Sequence, residues 1–482
     1  MQLEAEDPAA AAKDIAAASD LTYLSDLGGG FVVLEAAGAS PQRASVSRLA
    51  IRSAAQKANA GQPAETPLGA AVSRGRVALV EEDYIITAQA MASECTAAGG
   101  CSGMWGMGAI RMPQAWALVA GATAPALPAT VAGSVVDTGV MYSHVELDGQ
   151  ADRARGKTFS AGVAVGDGSD DNGHGTHVSG TMAAKWGGAA GGVAGVVGAA
   201  PPLVECKFLS SSGSGYTSDA ILCLKDIASK NAQAVINNSW AGGSFSNALL
   251  TAIRDYVCAK GGLFVAAAGN NGVDLTASNG TYPAYYAASP GAECVLPVAA
   301  VDQNLVLASF SNFGAAVPLA APGVGIRSTV FSNTSTTAEA TWSGTSMAAP
   351  HVSGVALLLR NQFPSLTGRQ VKDVLVASAA MVVKPFNNTR TIAGGLLNAE
   401  AAYVAAQALV NSGTPPPLPP SPLPPSPSPN PVPPQAPPPS PSPSPSPSPA
   451  PLCSCKSRTG YCPPTCSNGT CYYKLRPRSG RC

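Results

Sequence analysis

A chain of 482 residues, 46% hydrophobic and 12% charged, is too long for one ordinary domain and long enough to bury a sizeable core. Its 29 basic and 29 acidic residues balance, so no global charge draws it to nucleic acid or to an anionic membrane. Mean hydropathy is +0.14, yet the most apolar stretch, Ala115 to Val136, is broken by Pro125 and Pro128 and lacks the roughly 20 unbroken apolar residues of a membrane-spanning helix.

In chain order, Met1-Gln-Leu-Glu-Ala-Glu-Asp7 has early acids and no apolar run, so it is not a signal peptide. Residues 1–90 read as a small α+β unit, with a strand at Phe31–Leu34, a helix at Ala44–Ala58 and a strand pair or long strand at Ala78–Ile86. Residues 91–411 alternate β-rich runs with helical patterns. The runs are Ser134–Val136, Leu203–Phe208, Ala234–Ile236, Leu263–Ala266 and Val295–Val301; the helices include Ser218–Ser229 and Ser246–Lys260. That alternation predicts a doubly wound, mostly parallel α/β sheet with function at the carboxyl ends of its strands. Residues 412–452 are a Pro/Ser linker suited to polyproline II, similar in composition to the O-glycosylated stalks of plant and algal wall proteins. Residues 453–482 hold six of the twelve cysteines, and six Lys or Arg with no Asp or Glu. With no His and no C-x-x-C pair, this segment reads as a basic disulfide module rather than a metal site, which implies an oxidising, extracellular setting with the targeting segment absent from this chain.

Three segments carry chemistry. In Ser134-Val-Val-Asp-Thr-Gly139 a buried strand ends in a carboxylate, followed by a glycine that permits a tight turn; such an Asp can hold an imidazole in one tautomer. In Asp171-Asn-Gly-His-Gly-Thr-His-Val-Ser-Gly-Thr181, glycines flank His174 and leave room for a peptide backbone. A His174/His177 metal pair lacks the glutamate of H-E-x-x-H, so His177 is assigned to packing or a supporting hydrogen bond. In Gly344-Thr-Ser-Met-Ala-Ala-Pro-His-Val-Ser-Gly354, Ser346 opens a helix whose first-turn N–H groups lack intrahelical partners and can face an oxyanion. Each segment has a plain alternative: a loop Asp, a histidine pair, a Ser N-cap.

Taken together, in the order Asp137, His174, Ser346 and with these flanking residues, the segments closely resemble the subtilase family over about residues 104–405. The resemblance implies a serine endopeptidase acting on protein or peptide substrates through that triad, with no cofactor required for chemistry. It implies that Asn270, closing Phe264-Val-Ala-Ala-Ala-Gly-Asn270, joins the Ser346 N–H as oxyanion donor. Gly213, Ser214 and Gly215, with Ser239, Trp240, Ala241 and Gly242, would flank an extended substrate and pair with it as strands. Residues 1–90 resemble the family's inhibitory propeptide, with Val80–Tyr84 near its last strand and the cut between about Ala88 and Ala92.

Departures from the family pattern matter too. Ala241 stands where Gly is usual and would narrow the approach to the P1 pocket, and Trp240 would alter the P4 side. Pro318 replaces a common Asp, and Gly and Ala replace the Asn-rich calcium loop around Gly188–Gly195. Structural calcium is therefore an expectation without assigned ligands, Glu146 being one candidate. No acidic residue appears in Ser239–Gly243, Ala266–Asn270 or Tyr282–Ala288, which predicts an apolar or aromatic P1 preference with broad tolerance, since an unpaired buried charge is costly. The basic and aromatic C-terminal module suits wall or matrix polysaccharide. An aspartic protease built on Asp137-Thr-Gly139 needs a second such motif, which the chain lacks; an inactive wall-matrix protein would not need every catalytic position filled.

Overall fold

The computed structural model describes residues 2–3, 9, 12–13, 21–28, 31–36, 77–79, 83–88, 91–92, 104–120, 131–185, 192–198, 203–231, 233–379, 381–412, 465–467 and 470–472. The chain divides into two compact units, Met1–Pro417 and Leu418–Cys482. In the second, Thr465–Ser467 and Thr470–Tyr472 pair as an antiparallel hairpin. The expected Ala44–Ala58 helix, Cys95, Cys101 and nearly all of the linker and cysteine-rich segment lie outside the described residues.

In the first unit, β1 (Gln2–Leu3), β2 (Leu21–Gly28), β3 (Phe31–Ala36) and β4 (Val77–Leu79) form a sheet in the order β2–β3–β1–β4. The Phe31–Leu34 strand is thus present. Of the strand pair or long strand expected at Ala78–Ile86, two strands are found, β4 and β5 (Ile85–Ala88), and β5 leaves this sheet to pair elsewhere. A further short strand, β6 (Met91–Ala92), follows. Helices α1 (Trp105–Ala109) and α2 (Met112–Ala120) come next.

The core is a nine-stranded sheet of β7 (Gly133–Asp137), β8 (Lys157–Ser160), β9 (Val163–Gly166), β10 (Val204–Lys207), β12 (Val235–Asn238), β14 (Leu263–Ala267), β15 (Val295–Val301), β16 (Leu319–Pro322) and β19 (Gly395–Leu396). Its order is β19–β16–β15–β14–β12–β7–β10–β8–β9, parallel throughout except for the β8–β9 hairpin at one edge. The short strands β11 (Ser214–Tyr216), β13 (Trp240–Gly242), β17 (Ile326–Thr329) and β18 (Glu339–Ser343) lie outside it.

Strands buried on both faces explain the near-continuous apolar runs. Side chains alternate between faces with period two. Val135, Val265, Leu296 and Val298 enter the core beneath α3 (His174–Ala183) and α6 (Thr345–Gln362). Val136, Ile236, Phe264 and Val295 enter the opposite one beneath α4 (Thr217–Lys230) and α5 (Asn247–Tyr256). Helices α7 (Gly368–Ala377) and α8 (Ala399–Ser412) complete the unit. The expected Ser246–Lys260 helix is present and capped by Ser246, whose Oγ accepts from Leu249 N at 3.1 Å, but α5 ends at Tyr256. A 3-10 turn over Cys258–Lys260 follows, closed by Gly261 in the left-handed region at φ +77°. Two disulfides brace the helices against the sheet: Cys206–Cys223 joins β10 to α4, and Cys258–Cys294 joins that turn to the start of β15. No helix among the described residues is long and apolar enough to cross a membrane.

Candidate active site

The site forms where β7, α3 and α6 converge at the carboxyl edge of the sheet. β7 ends at Asp137, and Gly139 turns the chain at φ +99°; a Cβ there would lie 2.5 Å from Gly168 O. At Gly175 a Cβ would stand 2.1 Å from Gly139 O, so only glycine lets turn and helix meet backbone to backbone. That approach brings His174, the first residue of α3, to Asp137. His174 Nδ1 donates to Asp137 Oδ1 at 2.6 Å, and Thr138 N donates to the same oxygen at 2.7 Å. Both side chains are buried.

Asp170, one residue before the motif read from sequence, organises this junction. Its Oδ1 accepts from Thr138 Oγ1 at 2.9 Å, Asn172 N at 2.9 Å and Gly173 N at 3.1 Å, while Oδ2 accepts from Thr176 N at 3.1 Å and from Thr176 Oγ1. One carboxylate therefore binds the residue after Asp137 to both sides of His174. A charged acceptor suits a helix N-terminus. Lys207, beside Asp137 in the β7–β10 register, adds donations to Thr138 O at 2.9 Å and Asp171 Oδ1 at 2.7 Å.

Ser346 is the second residue of α6 and fully buried. Its hydroxyl donates to Ser239 O at 2.8 Å, and Ser239 Oγ donates back to Ser346 O at 2.9 Å. His174 Nε2 has no hydrogen-bond partner among the described residues, so the serine–histidine bond is not made in this state. Catalytic hydrogen bonds often tighten only when substrate is bound. Asn270 follows β14. Thr345 donates from N at 3.0 Å and from Oγ1 at 2.8 Å to Asn270 Oδ1, fixing which end of the amide carries the donor.

The seven residues nominated for substrate contact sit together around β5. β11, β5 and β13 form an antiparallel three-stranded sheet with β5 in the middle. Thr87 opposes Ser214 and Ala241, Ile86 opposes Gly215 and Gly242, and Ala88 opposes Trp240 and donates from N to Gly213 O at 2.9 Å. Ser239 immediately precedes β13. Asp83 anchors the segment upstream, accepting from Ser218 N at 2.8 Å and from Ser218 Oγ at the start of α4. Downstream, β6 pairs with β18, Met91 opposing Ser343 and Ala92 opposing Trp342. Two described strands of the N-terminal segment thus pair with β13, which follows Ser239, and with β18, which ends three residues before Ser346.

His177 has the supporting role read from sequence. Its Nε2 lies 3.1 Å from Ile326 O and 3.2 Å from Ala340 O, and its ring stacks on Trp342 at 4.7 Å between centroids. Burial, aided by the neighbouring His174, lowers its pKa to about 3, so it is a neutral donor. Glu205 on β10 was not singled out from the sequence. It is fully buried, accepts from Ser179 Oγ at 2.9 Å through Oε1, and has no partner for Oε2. Burial raises its pKa well above the usual carboxylate range, with Asp137 and Asp170 adding to the effect. Glu146 is buried, and its backbone oxygen accepts from Lys185 N at 2.9 Å. Among the described residues no three His, Cys, Asp or Glu side chains gather as a metal cluster, so the carboxylate at Glu146 defines no calcium shell by itself.

A buried Asp–His pair and a helix-opening serine at the carboxyl edge of one parallel sheet, with a strand paired between β11 and β13, are the features of a serine endopeptidase of subtilisin-like architecture. Residues 130–405 match the model of the subtilase family (Peptidase_S8), and this chain belongs to that family. It is 40% identical to Subtilisin DY of Bacillus licheniformis over 278 residues, 57% of this chain and 91% of that one. It is 37% identical to Subtilisin Savinase of Lederbergia lenta over 271 residues, 56% of this chain and 89% of the relative. Extracellular serine proteinase of Thermus sp. is 35% identical over 301 residues, 62% of this chain and 65% of its own. A solved structure titled as a cold adapted subtilisin-like serine proteinase is similar over 56% of this chain and 89% of its own, at 33% identity and a TM-score of 0.47. Subtilisins need no cofactor for catalysis.

Proposed function

We propose that this subtilase hydrolyses peptide bonds through Ser346, His174 and Asp137, and that it first does so on itself. The Ser346 hydroxyl turns from Ser239 O to His174 Nε2, gives up its proton there and attacks the scissile carbonyl carbon. Asn270 and the Ser346 N–H receive the oxyanion. His174 passes the proton to the leaving amine as the C–N bond breaks, and water then releases the acyl group by the same route. Asp137 holds the imidazole in the required tautomer throughout. The observation that carries this reading is the 2.6 Å Asp137–His174 bond beside Ser346, with β5 and β6 pairing on either side.

That register supports residues 1–90 as an intramolecular inhibitor, with the cut proposed between Ala88 and Met91, inside the interval of about Ala88 to Ala92 read from sequence. Ser346→Ala should leave a full-length precursor, whereas N-terminal sequencing of the active protein should find residue 89, 90 or 91 first. Efficient self-processing by S346A overturns the assignment.

Three finer readings belong here as well. An apolar P1 preference is supported by the lack of acids in the expected pocket segments; a cleavage profile dominated by Lys or Arg refutes it. Secretion is supported by two disulfides and by a relative named as extracellular. A structural calcium ion, its ligands unassigned and Glu146 one candidate, predicts a higher melting temperature with calcium than with a chelator. For residues 453–482, binding to anionic polysaccharide rests on sequence alone, and a full-chain pull-down that fails even at low salt refutes it.

A further inference from the structure

Asn312 is a fully buried side chain that the reaction as written does not use. Three of its four side-chain bonds surround the loop that carries Asn270. Its Oδ1 accepts from Asn271 N and Val273 N, both at 3.1 Å, just after Asn270. Its Nδ2 donates to Ala268 O at 2.8 Å, just before Asn270, and to Thr281 Oγ1 at 3.0 Å. Its own backbone N donates to Gly269 O at 2.9 Å. The loop is shaped to receive it: Gly269 takes φ +103°, and a Cβ there would fall 2.4 Å from the Asn312 amide nitrogen.

The Thr281 bond extends the clamp to the substrate. Thr281 precedes Tyr282, whose carbonyl accepts from Gly242 N at 3.1 Å, and Gly242 belongs to β13, which pairs with β5. One amide therefore joins the loop bearing Asn270 to the strand that holds the peptide. Both ends of that amide are satisfied in the core, so it cannot shift without leaving several buried groups unpaired.

We propose that Asn312 is a positioning residue that fixes the oxyanion donor Asn270 relative to the substrate strand β13. The proposal rests on the assignment of Asn270 as oxyanion donor. A donor set for the transition state acts only if held at the position where charge develops, and displacement by about 1 Å costs on the order of 100-fold in rate.

The test uses the mature enzyme, with reactive sites counted by endpoint titration with a fluorophosphonate so that unfolded protein does not enter the rates. Asn312→Ala should lower kcat roughly 10- to 100-fold, with KM little changed. Its affinity for a peptide boronate, whose adduct is tetrahedral and anionic, should fall in step with kcat/KM, while affinity for a product peptide stays near that of the parent. In an Asn270→Ala background, Asn312→Ala should slow the enzyme no further. Should N312A yield no titratable sites, Asn312→Ser, whose hydroxyl cannot span all four partners, is read in the same way. A normal kcat in N312A beside a slow N270A overturns this proposal alone. Equal slowing by N312A with and without Asn270 also overturns it, because the effect then passes through another group. A normal kcat in N270A overturns the oxyanion assignment and this proposal with it.

Discussion

Glu205→Gln should remove a pH-dependent liability from the core. Glu205 opposes Val135 in the β10–β7 register, two residues before Asp137, and is held neutral by burial and by the nearby Asp137 and Asp170 carboxylates. The raised pKa means that the folded state keeps a proton the unfolded chain releases near the ordinary carboxylate value. Stability is then greatest below that value and declines as pH rises toward the folded pKa, at about 1.4 kcal/mol per pH unit for one group. Other titrating groups are common to both proteins and cancel in the difference between them. Gln matches the volume and still accepts from Ser179, but its NH2 meets the same unpartnered surroundings as Oε2, so at acid pH the variant should be slightly the less stable. The difference should then shrink and reverse as pH rises through neutrality, by roughly 3 °C in melting temperature per pH unit. Both proteins are to carry Ser346→Ala, so that autolysis does not enter. Parallel melting curves from pH 5 to 8 would refute the neutral, buried carboxyl.

Two further outcomes follow from the same junctions. Asp170→Asn keeps the size of the side chain but turns an amide donor toward Thr176 N or Thr138 Oγ1; it should cost about 2–3 kcal/mol of stability and lower kcat more than it raises KM. Loss or weakening of the downfield proton signal of the Asp137–His174 bond would locate that effect, and an unchanged signal with a normal kcat would exclude it. Replacing both Cys206 and Cys223 with Ala opens a loop with a sequence separation of 17, which should cost about 3 kcal/mol; an unchanged melting temperature would show that α4 is held to β10 by packing alone.

The parts of this architecture that repeat with a short period were legible from residues alone. β7, β10, β12, β14 and β15 fall where apolar runs were read, because strands buried on both faces need no polar alternation. The candidate site residues were legible as flanking words, since Gly139 and Gly175 are imposed by backbone contact and Gly173 by its left-handed φ of +111°, and these leave a local trace. Less visible was anything that depends on distant segments meeting. Asp170 sits outside the words that drew attention to His174, and its five donors come from two separate stretches. Asn312 lies 42 positions beyond Asn270 in the chain, in a Ser-Asn-Phe-Gly turn of ordinary composition. Glu205 carried one signal, a lone acid inside a strand flanked by Val204 and Cys206, but its effect depends on Ser179, Asp137 and Asp170 packing over it. The early end of α5 was missed because the helical pattern continues through Val257, whereas Gly261 and the Cys258 crosslink stop it.

The space between β11 and β13 is one strand wide, and β5 fills it with paired edges on both sides. On the function proposed above, a target protein that takes that place must offer an extended stretch as long as β5, about 13 Å at 3.3 Å per residue. No intact helix or interior strand fits such a slot. The susceptibility of a folded target is then governed less by which residues flank the bond than by the free energy of opening that stretch locally, so cleavage sites on native proteins map their least protected segments.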